Sequence, residues 1–150
     1  MVQIIHGRNS KYYKDRADKL WGLCVKIKAG YQCELSFKQG RFSKTHGLNT
    51  NGLNAHHLIE RGQLGYRWDL NNGICLSVAV HGSHPNFRYR VYNAHGTDEQ
   101  RERFKEIVEK MCPEKYEWWV FHKEIKSRTT MFSYEDHYEK LLDIKKELLT

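Results

Sequence analysis

The sequence predicts an α+β fold, a small β-containing centre flanked by helices on both sides, and three observations carry that expectation. Apolar residues recur at helical spacing near the start, short apolar runs punctuated by glycine occupy the middle, and stretches after residue 97 combine helical spacing with capping residues. Over residues 15–28, Leu20, Leu23, Cys24 and Ile27 fall at steps of three and four among charges, the pattern of an amphipathic helix, and Gly30 ends it. Residues 31–37 read as a β-like piece, and 38–54, rich in Gly, Ser, Thr, Asn and Lys, as a turn or mobile loop. Residues 55–59 are strand-like and 60–65 form a connection, while 74–80, apolar nearly throughout, suit either a buried strand or the start of a helix. Thr97 or Asp98 caps a helix through Phe104, Ile107, Val108 and Met111 that Pro113 stops. A further helix is expected over 114–128, and Ser133, followed by acidic residues, opens a last one through Tyr138, Leu141, Leu142, Ile144 and Leu148.

The length of 150 residues suits a single domain, with an N-terminal helix at about 15–29, a core at about 31–90 and a helical part at about 97–150. Hydrophobic residues at 39% and aromatics at 13% supply enough apolar surface to offset chain ordering, which excludes a largely disordered chain. Lysine and arginine number 25 against 18 acidic residues, a formal charge of +7 that favours polyanionic partners because each neutralised phosphate releases counterions. No apolar stretch is long enough to span a bilayer and no signal-like segment opens the chain, so a soluble, cytoplasmic protein is expected, in the host cytoplasm if the chain is viral. Cys24, Cys33, Cys75 and Cys112 form no C-x-x-C pair and read as reduced, partly buried thiols.

The chemistry concentrates in one constellation. His56 and His57 are adjacent, Asn72 lies fifteen residues beyond His57, and His81 nine beyond Asn72. Neighbours on a strand point to opposite faces, so a His-His pair can give one imidazole to a metal and leave the other for a second task. Phosphodiester hydrolysis needs an activated water, a cation to take up phosphate charge and stabilisation of the leaving oxygen. An imidazole is a suitable base at neutral pH, and two further histidines can hold one divalent ion.

Residues 54–84, NAHHLIERGQLGYRWDLNNGICLSVAVHGSH, resemble the core of the HNH (His-Me finger) endonucleases, particularly a bacteriophage endonuclease and recombination-protein group with an "HH…RWDLxNGICL…H" pattern. The resemblance implies a ββα-metal core, a hairpin and a helix holding one divalent cation against a scissile phosphate. Carried over by position, His56 and His81 would be metal ligands, His84 a candidate third, His57 the general base and Asn72 the residue fixing the loop that aims His57. It further implies metal-dependent DNA cleavage, as nicks by a monomer or double-strand breaks by a dimer, leaving 5′-phosphate and 3′-hydroxyl ends. Magnesium, manganese, nickel or zinc would serve as the ion; histidine donors suit the transition metals, while magnesium prefers oxygen. Many relatives carry two C-x-x-C pairs for a structural zinc, but here Cys33 alone remains, with Ser36, Ser77 and Val80 at the other places. Packing by Trp68, Leu70, Ile74, Leu76 and Val78 is expected to replace that zinc.

Arg61 and Arg67 flank this set as candidates for phosphate contact, Arg67 equally for an ion pair with Asp69 or Glu60. Lys38, Arg41, Lys44 and His46, interleaved with Phe37 and Phe42, suit either a loop entering a DNA groove or a solvated charged loop. Arg88 and Arg90 with Tyr89 and Tyr92 suit either a phosphate-tracking strip or an ordinary surface. His6, His46, His95, His122 and His137 lack paired spacing and read as ordinary polar residues. DNA is the expected partner, with a directing protein or a second copy of the chain left open. Two alternatives stand: a catalytically silent nucleic-acid-binding adaptor on the same fold, and a protein-partner role anchored by Trp118 and Trp119.

Overall fold

The computed structural model describes residues 3–35, 52–77, 94–126 and 129–150 of the chain. Helix α1, Lys11–Lys28, begins one turn before the periodic apolar residues, its first turn tied by a Lys11–Asp15 pair at 2.5 Å. It ends as Gly30 predicts: Gly30 is left-handed at φ 67, its N–H donates to the Ile27 carbonyl and the Tyr31 N–H donates to that of Lys26, the paired bonds of a Schellman stop. Tyr31 is left-handed too, at φ 56. Two such residues in succession turn the chain away from an extended path, so the described residues 31–35 form no strand where the sequence reads one.

Among the described residues the sheet has two antiparallel strands, β1 (Leu53–His57) and β2 (Gly73–Ser77), with His56 opposite Ile74 and His57 opposite Gly73. β2 resolves the ambiguous apolar run in favour of strand as far as Ser77, and all five of its residues are buried. The connection from 58 to 72 holds a single helical turn, α2 (Leu64–Arg67), and a 3-10 turn (Leu70–Asn72). Helix α3 (Asp98–Met111) starts in a capping box between Thr97 and Gln100, α4 (Pro113–Lys123) starts on its proline, and α5 (Tyr134–Leu149) starts in a second capping box between Ser133 and Asp136. α4 stops at Lys123, short of the expected 128.

A two-stranded sheet is marginal alone, so the helices must cover it. α1 does so, packing against β1 and β2 and lying along α5. Its buried face is Ala17, Leu20, Trp21, Cys24 and Val25, rotated from the expected face, with Leu23 and Ile27 only half-buried. These join Leu53, Leu58, Trp68, Ile74, Leu76, Phe104, Val108 and Leu141 in one core, each fully buried aliphatic contributing roughly 1.5–3 kcal/mol. Cys24, Cys33, Cys75 and Cys112 are buried and form no disulfide. No helix among the described residues is long and apolar enough to cross a membrane.

Candidate functional site

Strand alternation sends the two adjacent histidines of β1 to different neighbours. His57 lies flat on Trp21 of α1, ring centroids 3.8 Å apart and planes 11° from parallel. Its Nε2 is 2.9 Å from the carbonyl oxygen of Arg67, and because a carbonyl only accepts, Nε2 carries the hydrogen and Nδ1 the lone pair. Burial pushes the His57 pKa down to about 4; the carbonyl bond and Asp18 oppose that shift, and the Arg61 and Arg67 cations add to it. His56, 9% exposed, meets His95 edge-on at 4.9 Å and Phe104 of α3 at 5.6 Å.

The backbone around His57 is held from below by Asn72, whose side chain is fully buried. Its Nδ2 donates to the carbonyls of Ile59 at 3.0 Å and Tyr66 at 3.1 Å, and its Oδ1 accepts from the Ile59 N–H at 2.6 Å. The Leu58 N–H donates to the Asn72 carbonyl at 2.9 Å, so both ends of the 58–72 connection close on one residue.

Arg67, 9% exposed, is engaged on all sides by protein. Its Nε and a terminal nitrogen reach the two carboxylate oxygens of Asp18 at 2.8 and 2.7 Å, and its other terminal nitrogen reaches the Arg61 carbonyl at 3.2 Å. The sequence offers Asp69 or Glu60 for an ion pair; the partner is Asp18, 49 residues away. Asp69 instead caps the 3-10 turn through the Asn71 N–H, and its carbonyl accepts from the Trp21 indole at 3.0 Å. Trp68 Nε1 donates to Asp18 at 2.9 Å. Burial alone would raise the Asp18 carboxyl, but the Arg67 guanidinium and the Trp68 indole outweigh it and hold its pKa below the ordinary value.

His56, His57 and Arg61 line a cleft of about 1180 Å³ whose walls are α1, β1 and the start of α3. Its cations include Lys19, Lys26, Arg61, Arg101 and Lys105, and its acids Asp18, Glu60, Asp98 and Glu102. Asp18 is taken by Arg67, Asp98 by Arg101 and Glu102 by Lys105. Lys19, Lys26 and Arg61 make no ion pair among the described residues, so the open charge of the cleft is predominantly positive.

No family model, curated protein or solved structure matches the chain.

His56 and His95 bring two imidazoles together edge-on beside the cleft, and imidazole donors suit a borderline transition metal. No group of three or more His, Cys, Asp or Glu side chains with ligand geometry occurs among the described residues. His81, His84, Lys38, Arg41, Lys44, Arg88 and Arg90 lie outside the described residues. His95, set aside in the sequence for lack of spacing, borders the cleft; its only signal is its position two residues before the Thr97 cap. Asp18 and Trp21 also go unread, because nothing in an amphipathic helix says which distant loop its polar edge will meet. Trp118 stacks on His122 and meets Tyr66 edge-on, while Trp119 packs against Phe104 and Tyr116. Both tryptophans are thus employed within the chain.

Proposed function

We propose that the protein is a metal-dependent DNA endonuclease of the HNH type, with His57 as its general base. The observation that carries this reading is the fixed imidazole: His57 is stacked on Trp21 and hydrogen-bonded through Nε2 to a backbone carbonyl beside a cationic cleft. A ring so held keeps Nδ1 unprotonated at neutral pH, the state a base must start in. A pKa of about 4 makes a weak base, but a phosphate anion entering the cleft favours the imidazolium and moves that value toward the working pH. Arg61, exposed and lining the cleft, would meet the phosphate, whereas Arg67 is held by Asp18. His57 takes a proton from water, the oxygen attacks phosphorus in line, and the bond to the 3′ oxygen breaks, that oxygen taking a proton from solvent, to leave 5′-phosphate and 3′-hydroxyl ends. His56, with His95 or His81, would hold the divalent ion, which supplies Lewis-acid charge at the phosphate.

The test is cleavage of supercoiled plasmid by purified protein with magnesium, manganese, nickel or zinc, beside a folded His57→Ala variant. Metal-dependent nicking or linearisation that falls at least about a hundredfold in the variant is expected. Salt-sensitive DNA binding without cleavage under any metal would replace this reading with the silent adaptor.

A further inference from the structure

Helix α1 lies before residues 54–84, which carry the close family resemblance, yet Trp21 touches the proposed base and Asp18 is linked to it through one peptide. The acceptor of the His57 Nε2–H is the carbonyl of the peptide joining Arg67 to Trp68. The side chains on both sides of that peptide converge on one carboxylate: Arg67 through two nitrogens at 2.8 and 2.7 Å, Trp68 through its indole at 2.9 Å. A two-point guanidinium–carboxylate contact fixes rotation as well as distance. The peptide needs such an anchor, because α2, which ends at Arg67, is a single turn with too few residues to be stable alone. One turn along the same helix face, Trp21 lies on the imidazole and its indole holds the Asp69 carbonyl just beyond.

We propose that Asp18 is a positioning residue for His57, acting through the peptide it anchors at Arg67 and Trp68, while Trp21 sets the plane of the ring. The inference rests on the endonuclease reading of the cleft. The carboxylate holds the carbonyl, the carbonyl selects which imidazole nitrogen carries hydrogen, and that choice leaves Nδ1 to receive the proton from water. An ion pair that only stabilised the fold would leave the tautomer of His57 untouched.

Asp18→Asn keeps the size of the side chain and an acceptor for Trp68 but turns an amide toward the guanidinium. With manganese, kcat for plasmid nicking is expected to fall about tenfold or more while KM for DNA stays within about twofold, since a displaced base costs rate rather than binding. In the metal-free protein, 1H–15N correlation spectra are expected to show His57 as one Nε2–H tautomer in the wild type and as a mixture in the variant. Arg67→Lys retains the charge but not the fork and should give the same pattern, and the double variant should lose no more than either single one. A folded Asp18→Asn protein with unchanged kcat, or one with reduced kcat and an unaltered tautomer, overturns the proposal. Should Asp18→Asn not fold, Arg67→Lys decides by the same two readouts. Should the wild type cut no DNA with any metal, the endonuclease reading falls, and the tautomer comparison alone upholds or overturns the coupling of Asp18 to His57.

Discussion

The side chain of Asn72 commits both amide hydrogens and its oxygen to backbone groups of the 58–72 connection, in a place without access to water. Asn72→Leu would leave the Ile59 N–H and the Ile59 and Tyr66 carbonyls without that partner, at about 1–3 kcal/mol for each group that stays buried. We expect a loss on the order of 3 kcal/mol in urea denaturation, with Asn72→Asp losing no less, because its second carboxylate oxygen would face the Ile59 and Tyr66 carbonyls with no hydrogen to donate and would bury a charge. His56, His57 and Asn72, picked out by spacing and by the family resemblance, and Arg61, picked out because it flanks them, lie close together because all four belong to one hairpin and its connection. Asp18, Trp21 and His95 were not legible for the opposite reason. They arrive from other elements, and the group that orients His57 is a backbone carbonyl, which has no letter in a sequence.

Among the elements, the close approach of α1 to β2 depends on Gly73. A Cβ there would stand 2.5 Å from Val25 Cγ2 and 2.9 Å from Trp21 Cζ2, both in the body of the packed helix face rather than at flexible tips. Gly73→Ala must push α1 away from the strand, and overpacking of this kind costs about 1–3 kcal/mol. Because Gly73 pairs with His57 and Trp21 stacks on it, the same change should disturb the His57 ring resonances, a local effect that urea melts paired with NMR would detect. The starts of α3 and α5 were readable from Thr97 and Ser133, since a capping box is a local pattern. The 31–35 segment was not, because its β-like composition competes with a left-handed turn at Gly30 and Tyr31 that composition does not record. β1 lies two residues earlier than the sequence placed it, at Leu53–His57, since strand ends follow the partner strand more than their own residues.

For the molecule as a whole, burial makes acid destabilising. In the unfolded chain the His57 imidazole takes a proton near its ordinary 6.5, whereas in the folded, metal-free protein it waits until about 4. Between those values the unfolded state binds more protons, so stability is full above 6.5 and declines as pH falls toward 4, by roughly 3 kcal/mol from this group at most. His137, also lowered by burial, acts in the same direction. Asp18 extends the decline at lower pH: its carboxylate contribution is present above the ordinary 3.8 and is lost as pH falls through its depressed folded value. Urea midpoints measured from pH 7.5 to 4 should fall steadily, and the His57→Ala variant should show a shallower slope.

The packing of α1 on α5 also sets an order in time. The Cys24 thiol meets the Leu141 carbonyl across 117 residues, and the Arg8 carbonyl accepts from the Glu135 N–H, so the first helix finds one side of its partner surface in α5. Contacts so far apart close late in folding, after the hairpin and its connection have had time to form locally. During synthesis α1 therefore meets the hairpin before α5 exists, and the helix that carries Asp18 and Trp21 gains its full set of contacts only once Tyr134–Leu149 has left the ribosome. A nascent chain would hold the hairpin histidines before α1 is fully seated on α5, so the hold of Asp18 and Trp21 around His57 would become firm only once both helices are present.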